Sequence, residues 1–318
     1  MPAQLIGAFP PSIRARDVRA NSAAAFCAGF FLAPSPFGTI RGKCLLNANR
    51  WRNAAIWLLM RVNRLQEIIA AKSGEITAAK SRVKEFRALT ERRTDFRDFP
   101  SAIQRRGGRL KIIAEAKKAS PSVGMIANKY DPVAIAKRFE TNGADAVSVL
   151  TERNYFLGSI DDLRTVREAI ALPVLRKDFL IDEVQILESA ANHADAILLI
   201  VAAVNPERLR SLHDCATANK LSALVEVHTP DELQIAVDAG AAIIGINNRN
   251  LATFKIDLTT TEKLLPHIPA GITVVSESGI RNSKDVARMS ALPIDALLIG
   301  EALIRTDALG LSKILART

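Results

Sequence analysis

Between Leu110 and Ile299 the chain repeats one pattern. An apolar run of strand length is followed by a stretch whose apolar residues recur with helical spacing. The runs lie near Leu110–Ala114, Ala146–Leu150, Val174–Leu175, Ala196–Val201, Ala223–Val227, Ile243–Ile246, Thr273–Val275 and Ala296–Ile299. Helical periodicity is clearest over Pro132–Phe139, Asp161–Ala169, Asp182–Ala191, Pro206–Ala218, Pro230–Ala239 and Asn282–Met289. Asp131-Pro132, Asn205-Pro206 and Thr229-Pro230 each pair a capping side chain with proline at the first helical position. Asn142-Gly143 and Ala239-Gly240 read as helix ends capped by glycine. Eight such alternations predict an α/β fold, a (β/α)8 TIM barrel with an extra N-terminal helical segment. A doubly wound open sheet would need a glycine-rich phosphate loop after its first strand, and the sequence has none.

Residues 1–59 stand apart. They carry seven basic side chains and one acidic, so +6 of the net charge of +10 belongs to them. No helical or strand period is sustained there. Three readings compete: an organelle transit peptide, a flexible tail, and a translation start assigned too far upstream, with Met60 the true start. The third is favoured, because an amphipathic helix begins just after Met60. The expected domains are therefore a non-homologous extension over 1–59 and a catalytic barrel over 60–318. Leu65, Ile68, Ile69, Ile76 and Val83 predict a helix from Val62 to about Phe86, and a second short helix is expected around Pro100–Arg106. The Ser, Pro and Gly content of Lys118–Asn128 marks a loop that would move over the first strand end.

In a parallel barrel, chemistry gathers at the C-terminal ends of the strands. Ile113-Ala-Glu-Ala-Lys-Lys-Ala-Ser-Pro121 puts Glu115 and Lys117 on one face of the first strand. The other strand ends bring Lys177, Glu226 with His228, Asn247 with Arg249, Glu277 with Ser278 and Gly279, and Gly300. A single Lys or Glu so placed reads as a rim charge. The whole set reads as one shared site with lysines and carboxylates suited to general acid–base work. A Schiff-base lysine stays open, since aldolase-type barrels also use a strand-end lysine. Ser278-Gly279 and Gly300-Glu301 fall where such barrels bind phosphate, with backbone N–H groups at a helix start.

Charge and cysteines narrow the rest. The remaining +4 over a large domain, with no basic run interleaved with aromatics, argues against nucleic acid. No apolar run reaches the ~20 residues of a membrane span. Cys27, Cys44 and Cys215 show no CxxC spacing, and the four histidines lack metal-ligand spacing. The expectations are a cytoplasmic protein without a metal, organelle import following only if 1–59 is a transit peptide. A monomer acting on a small anionic phosphate substrate is expected, with no nucleic-acid or membrane partner.

Seven segments in order resemble the indole-3-glycerol phosphate synthase family: Ile113 to Ser122, Val149-Leu-Thr-Glu-Arg-Asn-Tyr-Phe-Leu-Gly-Ser159, Pro173-Val-Leu-Arg-Lys-Asp-Phe179, Leu224-Val-Glu-Val-His228, Ile244-Gly-Ile-Asn-Asn-Arg-Asn-Leu251, Val275-Ser-Glu-Ser-Gly-Ile280 and Leu298-Ile-Gly-Glu-Ala302. The resemblance runs from about Val62 to the C-terminus. Ala116 departs from it, standing where the family more often has a larger aliphatic residue. The resemblance implies a cofactor-free enzyme of tryptophan biosynthesis, a carboxy-lyase that closes an indole ring. By its motifs, the general acid falls on Lys177, a second catalytic lysine on Lys117, the general base on Glu226 and a supporting carboxylate on Glu115. Substrate contacts fall on Ser120, Phe179, Asn247, Arg249, Leu251, Glu277, Ser278 and Leu298. Phosphate contacts fall on Ser278, Gly279, Gly300 and Glu301. A phosphoribosylanthranilate isomerase would be expected to use a Cys–Asp pair, and no first-strand cysteine exists. A non-catalytic barrel is the rival of another class, opposed by the intact Lys and Glu set.

Overall fold

The computed structural model describes residues 64–120, 124–126, 130–250 and 255–305. The expected extension over 1–59, the Met60 start, Val62, Leu251 and parts of the Lys118–Asn128 loop lie outside the described residues.

Eight parallel strands close into a barrel: β1 Lys111–Ala116, β2 Ala146–Leu150, β3 Val174–Lys177, β4 Ala196–Ile200, β5 Ser222–Val227, β6 Ile243–Asn247, β7 Thr273–Glu277 and β8 Ala296–Ile299. Each strand pairs with its sequence neighbours, and β8 returns to β1 through Ile113 opposite Leu298. Three helices precede the barrel: α1 Arg64–Ser81, α2 Val83–Arg92 and α3 Phe99–Ile103. The helices between and after the strands are α4 Pro132–Thr141, α5 Ile160–Ala169, α6 Glu183–Ala191, α7 Pro206–Ala218, α8 Pro230–Asp238, α9 Thr259–Leu264, α10 Ser283–Ser290 and α11 Glu301–Arg305. The three Pro-led starts are capped as their sequence implies. Asp131 accepts from the Ala134 N–H at 2.9 Å, Asn205 from Arg208 at 2.8 Å and Thr229 from Glu232 at 3.2 Å.

Two expectations change. The helix expected from Val62 to Phe86 is two helices, broken at Arg82 (φ −105°, ψ 9°). The break lets α1 bury Leu65, Ile68 and Lys72 while α2 turns Phe86 onto Val184 and Leu187 of α6. The second helix stops at Ile103, not Arg106. Asp98 caps its start through the Ser101 N–H, and the backbone turns extended at Gln104.

Alternation within the strands makes two cores. Ile112, Ala114, Val147, Val149, Val225 and Ile244 face outward under the helices. Ile113, Leu175, Leu198, Leu224, Ile243 and Val275 fill the interior. Phe99 and Ile103 of α3, both fully buried, join that interior cluster from the N-terminal mouth. There Asp145, Asp195 and Asp295 each precede a strand and accept the backbone N–H of a neighbouring one, from Ile112, Val174 and Val274 at 2.8–2.9 Å. Above the apolar layers, strands β1, β3, β6 and β7 run on past their apolar residues into Glu115, Lys177, Asn247 and Glu277. The ladder persists there, as Asn247 opposite Glu277 shows. Among the described residues no helix is long and apolar enough to cross a membrane.

Candidate active site

The inward alternation that builds the apolar layers delivers charged groups at the C-terminal mouth. Lys177 Nζ lies 3.2 Å from Glu226 Oε2 and 3.2 Å from Glu277 Oε2. Lys117 Nζ donates to Glu115 Oε1 at 2.5 Å. Asn247 Nδ2 donates to Glu226 Oε1 at 3.0 Å, and its own Oδ1 accepts the Arg249 N–H at 2.9 Å. The three carboxylate side chains are almost wholly buried.

Burial alone would discharge Lys177, but Glu277, Glu226 and Glu115 outweigh it and hold the ammonium above its ordinary range. Burial also raises Glu226, yet Lys177, His228 and Asn247 reverse that and keep it a carboxylate below the usual range. Glu277 goes the other way. Burial and the neighbouring charge of Glu226 outweigh Lys177 and push it up to about 7. Among the described residues its one charge partner is Lys177, 3.2 Å from Oε2 and shared with Glu226. An under-satisfied buried carboxylate beside a lysine is what an acid–base site needs and what a structural ion pair avoids.

Two glycines exist because these carboxylates lean over them. A Cβ at Gly245 would stand 2.0 Å from Glu277 Oε1. A Cβ at Gly300 would stand 2.5 Å from Glu115 Oε1 and 3.1 Å from Lys117 Nζ. Gly300 therefore makes room for the Glu115–Lys117 pair.

Two cavities open here and share Glu115, Lys117, Lys177, Arg249, Ser278 and Glu301 in their linings. The larger, about 550 Å³, adds Glu277, Gly279, Leu298 and Gly300. Ser278 and Gly279 both take positive φ, 64° and 90°. Asn248 holds that turn, its amide donating to the carbonyls of Glu277 and Ser278 at 3.0 and 3.2 Å. The smaller, about 130 Å³, is walled by Leu65, Ile68, Phe156, Phe179, Leu198 and Ile200, with Ser120, Glu226 and Asn247 at its edge. Every site residue read from the sequence, Leu251 and His228 aside, borders one of these two cavities.

The sequence reading missed Arg64, Leu65 and Ile68, which it assigned to an ordinary helix face, and the apolar β4 residues Leu198 and Ile200. It also passed over Asn248. Its signal was present in the Asn247-Asn248 doublet, where alternation turns one amide inward and the other out. His228 faces Glu226, with Nε2 3.6 Å from Oε1, and holds Glu232 through Nδ1 at 3.2 Å. Burial opposes its charge, but Glu232 and Glu226 prevail and raise it. It borders neither of the two cavities. Among the described residues no group of three or more His, Cys, Asp or Glu is placed to hold a metal ion.

The family model described as indole-3-glycerol phosphate synthase matches residues 65–312. A relative of that name from Dehalococcoides mccartyi is 53% identical over 205 residues, covering 64% of this chain and 79% of the relative. Another, from Chloroherpeton thalassium, is 46% identical over 249 residues, covering 77% of this chain and 96% of the relative. Among solved structures, a thiamine phosphate pyrophosphorylase from Pyrococcus furiosus matches with a TM-score of 0.50 at 15% identity, over 65% of this chain and 95% of that one, a likeness of fold alone.

Proposed function

The chain belongs to the indole-3-glycerol phosphate synthase family, and from that premise we propose how its side chains divide the work. The reaction is a tryptophan-biosynthesis step, carried out by a decarboxylating carbon–carbon lyase. It closes the ring of 1-(2-carboxyphenylamino)-1-deoxyribulose 5-phosphate with loss of carbon dioxide and water.

The apolar cavity takes the aryl ring, against Phe156 and Phe179. The phosphate lies at the Ser278-Gly279 turn and the Gly300-Glu301 turn. Placed between them, the ketone of the substrate meets Lys177. Its ammonium protonates the carbonyl oxygen as the ring carbon bearing the carboxylate attacks. Lys117 pairs with that carboxylate until carbon dioxide leaves. Departure of the resulting hydroxyl as water takes a proton from a lysine, and Glu226 removes the ring proton that completes the indole. Asn247 and Arg249 orient the substrate, Glu115 steadies Lys117, and Glu277 steadies Lys177.

The observation that carries this assignment is the single ammonium of Lys177 shared by two buried carboxylates. It is tested by exchanging the lysines one at a time in the full chain. Lys117→Met is expected to act mainly on KM, having lost the partner of the substrate carboxylate, and Lys177→Met mainly on kcat. The reverse pattern would exchange the two roles. Residues 60–318 as the catalytic domain, a monomeric state and a cytoplasmic location belong to the same proposal. The domain rests on the onset of helical periodicity after Met60 and the location on the unpaired spacing of the cysteines, while the monomer is the starting assumption.

A further inference from the structure

Lys72 has no solvent exposure, an uncommon place for a lysine. It lies on the face of α1 that also carries Leu65 and Ile68, at i+7 and i+4 from them. Its Nζ stands 2.7 Å from Asp178 Oδ1, 3.1 Å from Glu75 Oε2 and 4.0 Å from Glu152 Oε1. Asp178 and Glu152 are themselves buried, and each organises a loop. Asp178 accepts the Phe179 N–H at 2.8 Å and the Thr151 hydroxyl at 2.7 Å, and pairs with Arg176 at 3.2 Å. Glu152 accepts the N–H groups of Asn154, Tyr155 and Phe156 at 3.0, 2.7 and 3.0 Å. The two loops present Phe156 and Phe179, whose rings stand 6.4 Å apart in the wall of the smaller cavity.

We infer that Lys72 is a positioning residue for aryl binding: its one buried ammonium ties α1 to both loops and so sets the pocket formed by Leu65, Ile68, Phe156 and Phe179. The inference rests on the reading that this cavity holds the aryl ring. Without the ammonium, Asp178 keeps Arg176 as a partner. Glu152 keeps no cation within 4 Å among the described residues. The Phe156 loop is then the part that loosens, and binding suffers before chemistry does.

The test is steady-state kinetics of the full chain with the carboxyphenylamino-deoxyribulose phosphate, at temperatures where circular dichroism shows each variant folded. Lys72→Met is expected to raise KM about tenfold and to change kcat less than about threefold, the signature of lost ground-state and transition-state binding alike. Lys72→Arg should recover most of that loss. Arg93→Met, which breaks a buried ion pair at the opposite mouth, should lower stability with KM unchanged. A folded Lys72→Met with KM within about twofold of the parent, or an equal rise in Arg93→Met, would overturn the inference. If Lys72→Met does not fold, Glu152→Gln asks the same question from the other side, and an unchanged KM there overturns it too. A parent chain that does not turn over this substrate would remove the pocket reading itself, and this inference with it.

Discussion

At the N-terminal mouth of the barrel, buried Asp195 accepts five hydrogen bonds, from Arg93, Arg167 twice, and the backbone N–H groups of Arg97 and Val174. At the C-terminal mouth, equally buried Glu277 has one charge partner among the described residues, Lys177, which it shares with Glu226. The same kind of group, in the same low-dielectric setting, has five donors at one end and a single shared lysine at the other. A carboxylate that is fully paired holds strands in register. One that is under-paired has a proton within reach of neutral pH, and a neighbouring lysine to respond to it. Charge burial alone does not mark an active site; what differs here is how many donors each buried carboxylate has.

Breaking each end should give effects of different kinds. The largest is expected from Glu226→Gln, which keeps the Asn247 and Lys177 neighbours but cannot accept a proton. Its kcat should fall by about 10²–10⁴ with little change in melting temperature, measured by indole fluorescence and calorimetry. Retention of a tenth of the rate or more would count against Glu226 as the base. Next comes Asp195→Ala. It leaves Arg93 and Arg167 with only the half-exposed Asp95 as carboxylate partner, strips the acceptor from the Arg97 and Val174 N–H groups, and should cost about 3–5 kcal/mol in denaturant unfolding. The kinetics of the fraction that stays folded should be unaltered. A raised KM there would blur the distinction between the two ends.

The strand–helix alternation was plain in the sequence, and so was the candidate site, because polar residues placed at the ends of apolar runs stand out. What stayed hidden has a common cause. Leu65, Ile68, Leu198 and Ile200 wall the smaller cavity by being apolar, and an apolar residue on a periodic face looks the same whether it meets a neighbour or a cavity. Lys72 sits among them and reads as a solvated charge until the fold removes its water. Strand ends were also under-read. The pattern stops at the last apolar residue, whereas the ladder runs on through Lys177, Asn247 and Glu277. Gly245 gave no signal either, since its need arises from a side chain on the next strand.

That last contact gives a smaller effect. Gly245→Ala should push the Glu277 carboxylate aside and lower kcat about tenfold while the barrel stays folded; an unchanged kcat would mean that Glu277 has room to move without consequence. The smallest effect concerns pH. Glu277 is pushed up to about 7, so it loses its charge as pH falls through that value. The protonated form no longer holds Lys177 by charge, and kcat/KM should bend downward below about pH 7. Glu277→Gln, neutral throughout, should lack that bend and sit near the low plateau. A bend that survives in Glu277→Gln belongs to another group.

The most direct measurement is single-turnover formation of the fluorescent indole product by the full chain and by Lys177→Met. If the ammonium held between Glu226 and Glu277 is the general acid, the variant will remain folded, bind the substrate, and form product at least about 10²-fold more slowly than the parent. A folded variant forming product at near the parent rate would contradict that account, and would leave Lys177 a structural cation like those at the other mouth.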